Sequence, residues 1–241
     1  MSRYHVTEGI VIRRKELPKG DVVVTLFGER GKLQAVTRKA KRLGGNPGKL
    51  SLFHDVTVQT YRKADDALSV ITQVQLNGAL PGLSRPEAYG YAHLLAELAD
   101  SLSTDVHVGG HMYGYLASGL RGLSQTDDPE AVSLIYAWKL LTQAGLAPRV
   151  THCAGCGGAG PFERFDSAAG GLTCGACNLG MKLSAGVVND LQDLHSLTVR
   201  EALALPFEER SLHWALLSRY LSYHVGELKS LAALSRSRAL A

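Results

Sequence analysis

The chain has 241 residues, 45% hydrophobic and 20% charged, with a formal charge of +4. This balance is ordinary for a globular protein of one large domain or two to three small ones. No apolar run approaches the ~18–20 residues of a membrane helix, and MSRYHVTEGIVIRR lacks the apolar segment and small-residue cleavage site of a secretory signal. Membrane and secreted classes are excluded on this reading, and a cytoplasmic location is expected.

The charge is uneven. Residues 1–80 carry 14 Lys and Arg against 7 Asp and Glu, whereas 81–241 carry 12 against 15. A basic head on a mildly acidic body suits a polyanion partner, although surface cations also serve solubility alone.

The head reads as strands. VTEGIVIR (6–13) is a mostly apolar run, DVVVTLF (21–27) is β-branched and ends at the turn GERG, and KLQAVTRK (32–39) alternates. HDVTVQTYR (54–62) and ALSVITQVQL (67–76) alternate too, joined by the polar turn KADDA. Five short strands are too few for a sandwich and predict a five-stranded OB-type barrel, with a small SH3-like barrel as the alternative. The stretch RKAKRLGGNPGKL, 38–50, is basic, Gly-rich and interrupted by Pro47, so it is a loop, long enough to carry a function.

Ten cations of the head are candidate nucleic-acid contacts. Arg13, Arg14, Lys15 and Lys19 lie at the end of the first strand and after it; Lys32 and Arg38 share one face of the third strand with Gln34; Lys39, Lys41, Arg42 and Lys49 ride the loop. In OB barrels the second and third strands and the adjoining loops are the usual binding face. Aromatics are sparse in this head. Tyr4, Phe27, Phe53 and Tyr61 are the ones present, with Phe27 assigned to the core by alternation. Binding through phosphates, largely indifferent to sequence, is therefore expected rather than base stacking.

From Pro81 the period becomes helical. PEAYGYAHLLAELADSLS aligns Ala88, Tyr91, Leu95, Leu98 and Leu102, and HMYGYLASGLRGL aligns Met112, Tyr115, Leu116, Gly119 and Leu123. A third helix starts at Asp128 as N-cap with Pro129 behind it and stops at Gly145. Thr198 and Glu201 fit a capping box, and residues 206–234 read as one long amphipathic helix or a pair. The fold class is thus α+β and multidomain: a barrel over 1–80, a helical domain over 81–148 and 183–241, and a metal-binding insertion over 149–182.

That insertion holds every cysteine of the chain, as Cys153-x2-Cys156 and Cys174-x2-Cys177. Two such turns aim four thiolates at one point, the donor set of a structural Zn2+. Gly155, Gly157, Gly158, Gly175 and Gly180 are expected to supply unusual dihedrals for the turns. Four thiolates close the coordination shell, which leaves no place for a catalytic water. His152 is a neighbour rather than a ligand, and Arg149, Arg164 and Lys182 flank the anionic centre. A thioredoxin-type dithiol would need a strand before it and a helix after it. GGNPGKL fails as a phosphate loop, since three residues rather than four separate Gly44 from Gly48 and Leu50 replaces the hydroxyl. No nucleophile motif or carboxylate pair is apparent, so a non-enzymatic binding protein with no small-molecule substrate is expected.

Four stretches, EGIVIRRKELPKGDVVVTLFGERGKLQAVTRKAKR, LLTQAGLAPRVTHCAGCG, FERFDSAAGGLTCGAC and the helical remainder, follow one another in an order that resembles the bacterial RecO family of recombination mediators. The resemblance implies a nucleoid-associated DNA repair protein that binds single- and double-stranded DNA and anneals complementary strands. It further implies that the protein acts with RecR to help RecA displace the single-strand binding protein SSB. Here the family's Ser-containing basic loop reads GGNPGKL. Some family members lack the cysteines, which favours a structural metal. The competing readings are an RNA-binding OB and zinc-ribbon protein of translation or transcription, and a thiol oxidoreductase.

Overall fold

A computed structural model describes residues 3–18, 20–38, 48–63, 67–103 and 109–239. Strands β1 (Tyr4–Glu16), β2 (Val22–Gly28), β3 (Gly31–Thr37), β4 (Asp55–Tyr61) and β5 (Ser69–Gly78) close into a barrel in the order β1-β2-β3-β5-β4. Neighbours are antiparallel except at the β3–β5 seam, which runs parallel through Ala35–Ser69 and Val36–Val70. This is the OB arrangement, and the parallel seam sets aside the SH3-like alternative.

Alternation assigns the faces. Val22, Val24 and Leu26 of β2, Ala35 of β3, Val56 and Val58 of β4 and Ile71 and Val74 of β5 fill the barrel. Strand β1 serves two partners, with Tyr4–Ile10 along β4 and Ile10–Glu16 along β2. A bulge between Val11 and Arg13 leaves Ile12 unpaired. The extra residue keeps Val11 inside the barrel while Ile10 and Ile12 join the core of the helical body. It also turns Arg13 to the outer face, opposite Thr25. Where β1 and β2 cross, a Cβ on Gly28 would lie 2.1 Å from the Glu8 carbonyl oxygen, so only glycine fits. Phe27 is buried as expected, but alternation with Val22, Val24 and Leu26 puts it on the outer face of the barrel, and the core it enters is that of the helices.

A 3-10 turn (Pro81–Ser84) leads into α1 (Pro86–Leu102), α2 (Gly109–Gln125) and α3 (Pro129–Gln143), which pack on one another. Asp128 caps α3 by accepting from the Ala131 amide at 3.2 Å, and Gly145, at φ +78°, follows its end. Next come α4 (Ala185–Ser196), α5 (Val199–Ala202), α6 (Arg210–His224) and α7 (Lys229–Ala239). The capping box at Thr198 and Glu201 is formed, and the long C-terminal segment is a pair of helices, α6 and α7.

Helix α4 was not among the sequence expectations. Ser184 caps it, and Val187, Val188, Leu191 and Leu194 form its buried face. Its far end rests on Lys139 of α3, a buried lysine that donates to the carbonyls of Leu194 (2.7 Å) and Leu197 (2.6 Å). Burial lowers the Lys139 pKa, and the two carbonyls are the orphans every helix end leaves. Lys139→Met keeps the apolar stem and strands both carbonyls. It is expected to cost about 1–3 kcal/mol in urea unfolding; a change near zero would mean water replaces the ammonium without loss.

Candidate metal centre and nucleic-acid face

The insertion builds a small sheet, β7-β6-β8, from β6 (Phe162–Asp166), β7 (Gly171–Cys174) and β8 (Met181–Lys182). It carries the two cysteine turns, which repeat one local design. The Gly157 amide donates to the Cys153 carbonyl (2.8 Å) and the Asn178 amide to that of Cys174 (3.3 Å), so each turn closes one residue past its second cysteine. Both closing residues have positive φ, +78° at Gly157 and +51° at Asn178, the region that glycine and asparagine tolerate.

Of the five glycines expected to bend the backbone, Gly157 and Gly180 do so. Gly155 instead has φ outside that region and admits the Cys177 sulfur, 3.1 Å from where a Cβ would stand.

The four sulfurs converge. Cys153 Sγ lies 3.7 Å from those of Cys174 and Cys177, Cys156 Sγ lies 3.8 Å from Cys174, and all four fall within 4.8 Å of one another. A tetrahedron of metal–sulfur bonds of about 2.3 Å has edges of about 3.8 Å. The donor set and its spacing therefore fit a tetrahedral metal ion. The backbone amides of Cys156 and Cys174 hold the Cys153 thiol down at about 6, while hydrogen bonds shared with the sulfurs of Cys156, Cys174 and Cys153 push Cys177 up to about 12. Four thiolates this close repel, and a cation at their centre removes the conflict.

His152 stands aside, exposed and next to Thr151 Oγ1 at 3.2 Å. Arg164 donates to the carbonyls of Leu179 (3.3 Å) and Gly180 (2.7 Å), bracing the loop beyond the second turn. Val150, Phe165 and Leu172 connect the insertion to the helical core. The centre thus ties a glycine-rich segment to the body.

The outer face of β1 and β3 carries Arg13, Lys15 and Lys32, whereas Arg14 is in register with the inward-facing Val24 and Arg38 follows the end of β3. Register sets Lys15 beside Val23 and Val36, Arg13 beside Thr25 and Gln34, and Phe27 beside Lys32. Lys15 and Arg38 stand exposed. Arg14 pairs with Glu16 at 2.9 Å, and Lys49 donates to the Val74 carbonyl at 3.1 Å.

Arg13 and Lys32 are brought together by a residue the sequence reading missed. Asp100, in the last turn of α1, takes Arg13 at 2.5 Å and Lys32 at 3.0 Å. A carboxylate continuing the buried stripe Ala88, Ala92, Ala96 was the available signal. Lys19, Lys39, Lys41 and Arg42 lie outside the described residues. Among the described residues no helix is long and apolar enough to cross a membrane.

A closed OB barrel with cations on its outer face, seated on a helical body, defines a barrel-and-bundle protein with an insertion whose four cysteines could hold a metal ion. The family model described as "Recombination protein O N terminal" matches residues 1–79, and "Recombination protein O C terminal" matches 83–232. The chain belongs to the recombination protein O family. It is similar to the DNA repair protein RecO of Anaeromyxobacter dehalogenans, 33% identical with 94% of this chain and 93% of that one covered. It is also similar to those of Thermobifida fusca (30%; 93% and 95% covered) and Myxococcus xanthus (29%; 95% and 96% covered).

Proposed function

We propose that this chain is a DNA repair and recombination mediator. It binds single- and double-stranded DNA through the barrel and anneals complementary strands. With RecR it assists RecA in replacing SSB. The barrel grips sugar–phosphate chains through Lys15, Arg38 and the cations of the 38–50 stretch, with Arg13 and Lys32 as a further pair. The four cysteines hold one Zn2+, which organises the insertion and takes no part in chemistry, and the protein works in the cytoplasm at the nucleoid. The observation that carries this reading is the row of cations on the outer face of a closed OB barrel in a member of the recombination protein O family. The cations give affinity without sequence preference, which is what pairing two arbitrary strands needs.

Annealing of complementary oligonucleotides, bare and coated with SSB, tests it across a salt series. The reading expects faster annealing on both substrates, fading as salt rises. No acceleration would contradict it, and matched RNA displacing the DNA at tenfold lower concentration would favour an RNA-binding protein instead.

A further inference from the structure

Asp100 holds two of the cations on the outer face of the barrel. Its Oδ2 takes Arg13 Nη2 at 2.5 Å, and its Oδ1 takes Lys32 Nζ at 3.0 Å. Lys32 Nζ also donates to the Asp100 carbonyl at 2.9 Å. A carboxylate presenting one oxygen to a guanidinium and the other to an ammonium occupies both as a phosphate would. The two cations remain reachable from solvent, with 64% of the Arg13 side chain and 34% of Lys32 exposed, whereas Asp100 retains 10%.

The position is an awkward one for an anion. Asp100 lies in the last turn of α1, where the helix dipole is negative and disfavours a carboxylate. The two cations are what keep it there. They are delivered by the β1 bulge that turns Arg13 outward and by the register that sets Lys32 beside Phe27. One turn earlier, Glu97 accepts from the Lys229 (3.1 Å) and Ser230 (2.8 Å) amides at the start of α7. Burial works against the charge of Glu97, but hydrogen bonds from Ser230 and Lys229 hold its carboxyl below the ordinary value. The end of α1 is therefore anionic at two successive turns, and Arg13 lies within the field of both.

We propose that Asp100 is an internal competitor for DNA: it occupies Arg13 and Lys32 in the free protein and must yield them for a phosphate to bind there. It is a positioning residue that sets how tightly the barrel face holds DNA and keeps that grip reversible. The proposal rests on the reading that the barrel face binds DNA. Glu97 is engaged by the amides at the start of α7, so only Asp100 pairs directly with the two cations; phosphate is still drawn to them, but with a fraction of the pull it would otherwise feel.

The test compares the full chain with D100N by fluorescence anisotropy on a labelled oligothymidylate across a salt series. Freeing two cations is expected to steepen the slope of log K against log salt by about 0.7–1.4 and to tighten binding about threefold or more near 0.1 M salt. Adding R13Q or K32Q to D100N is expected to remove part of that gain. Unchanged affinity and slope in D100N, with unaltered protein that binds in a salt-sensitive way, would overturn the competitor and leave the DNA-binding reading intact. No salt-sensitive binding by either protein would overturn both.

Should D100N fail to unfold cooperatively, the question is read on the unaltered chain by hydrogen exchange. Saturating oligothymidylate is expected to speed exchange over residues 97–103 as Asp100 is released. Unchanged or slower exchange there would overturn the proposal.

Discussion

Cys174→Ser is expected to release the metal and lower the melting midpoint by about 10 °C. Cys174 closes β7, and its sulfur lies 3.7 Å from Cys153 and 3.8 Å from Cys156. Its amide also donates to Cys153 Sγ at 3.3 Å, so the substitution disturbs a junction as well as a ligand. The buried apolar content of the insertion is small, and it faces the helices. Val150, Phe165 and Leu172 are buried in the core of the body. Phe165 meets the Tyr220 ring edge-on at 5.6 Å, and Tyr220 donates to the Leu146 carbonyl at 3.1 Å. Without the metal these few contacts, with the His224 ring on the Ser167 carbonyl at 2.9 Å, are left to hold β6 and β7 against α6. Losing the burial of two large side chains costs about 3–6 kcal/mol, and each kcal/mol moves the midpoint of a chain this size by about 2–4 °C. Calorimetry with metal analysis checks this: about one zinc per unaltered chain is expected, and little in the variant. A metal-free variant that melts like the unaltered protein would contradict the structural role. A chelator strong enough to strip zinc should reproduce the variant's melt, and acidification should release the metal as the thiolates take up protons.

Reversing charge at Lys39, Lys41 and Arg42 together is the second large effect expected. These residues belong to the basic stretch between β3 and β4. If each meets a phosphate, the slope of log K against log salt should shrink by about 2, and affinity near 0.1 M salt should fall at least about tenfold. Strand annealing should fall with it, while the melting midpoint stays within about 2 °C. Unchanged DNA binding in this triple variant would move the DNA site elsewhere, with the helical body the next place to look.

The sequence made the barrel legible because its signals are local. Val22, Val24 and Leu26 alternate with Val23 and Thr25, and the faces follow from that period alone. The four cysteines were legible for the same reason, since two-residue gaps constrain the turns whatever surrounds them. The strands β6, β7 and β8 escaped because they are two to five residues long, too short for alternation to declare itself. Helix α4 carries its signal in Ser184 and the Val187–Leu191–Leu194 spacing, but at 12 residues beside a glycine-rich segment its period is short.

What no local pattern could disclose is the use of Arg13 and Lys32. Both read as free cations of the barrel, yet Lys32 meets Asp100 across 68 positions of sequence. Only the packing of α1 against β1 and the bulge at Ile12 bring the three together. Phe27 teaches the same lesson: burial was foreseeable, but which of two cores it enters depends on a neighbour the strand itself does not specify.

The central claim is that barrel cations attract nucleic-acid backbone, and equilibrium binding of the zinc-loaded chain to single-stranded oligonucleotides at graded salt tests it most directly. With six cations on phosphates, log K should fall against log salt with a slope of about −4, alike for oligonucleotides of unrelated sequence. A flat salt dependence, or no binding at low salt, would contradict it.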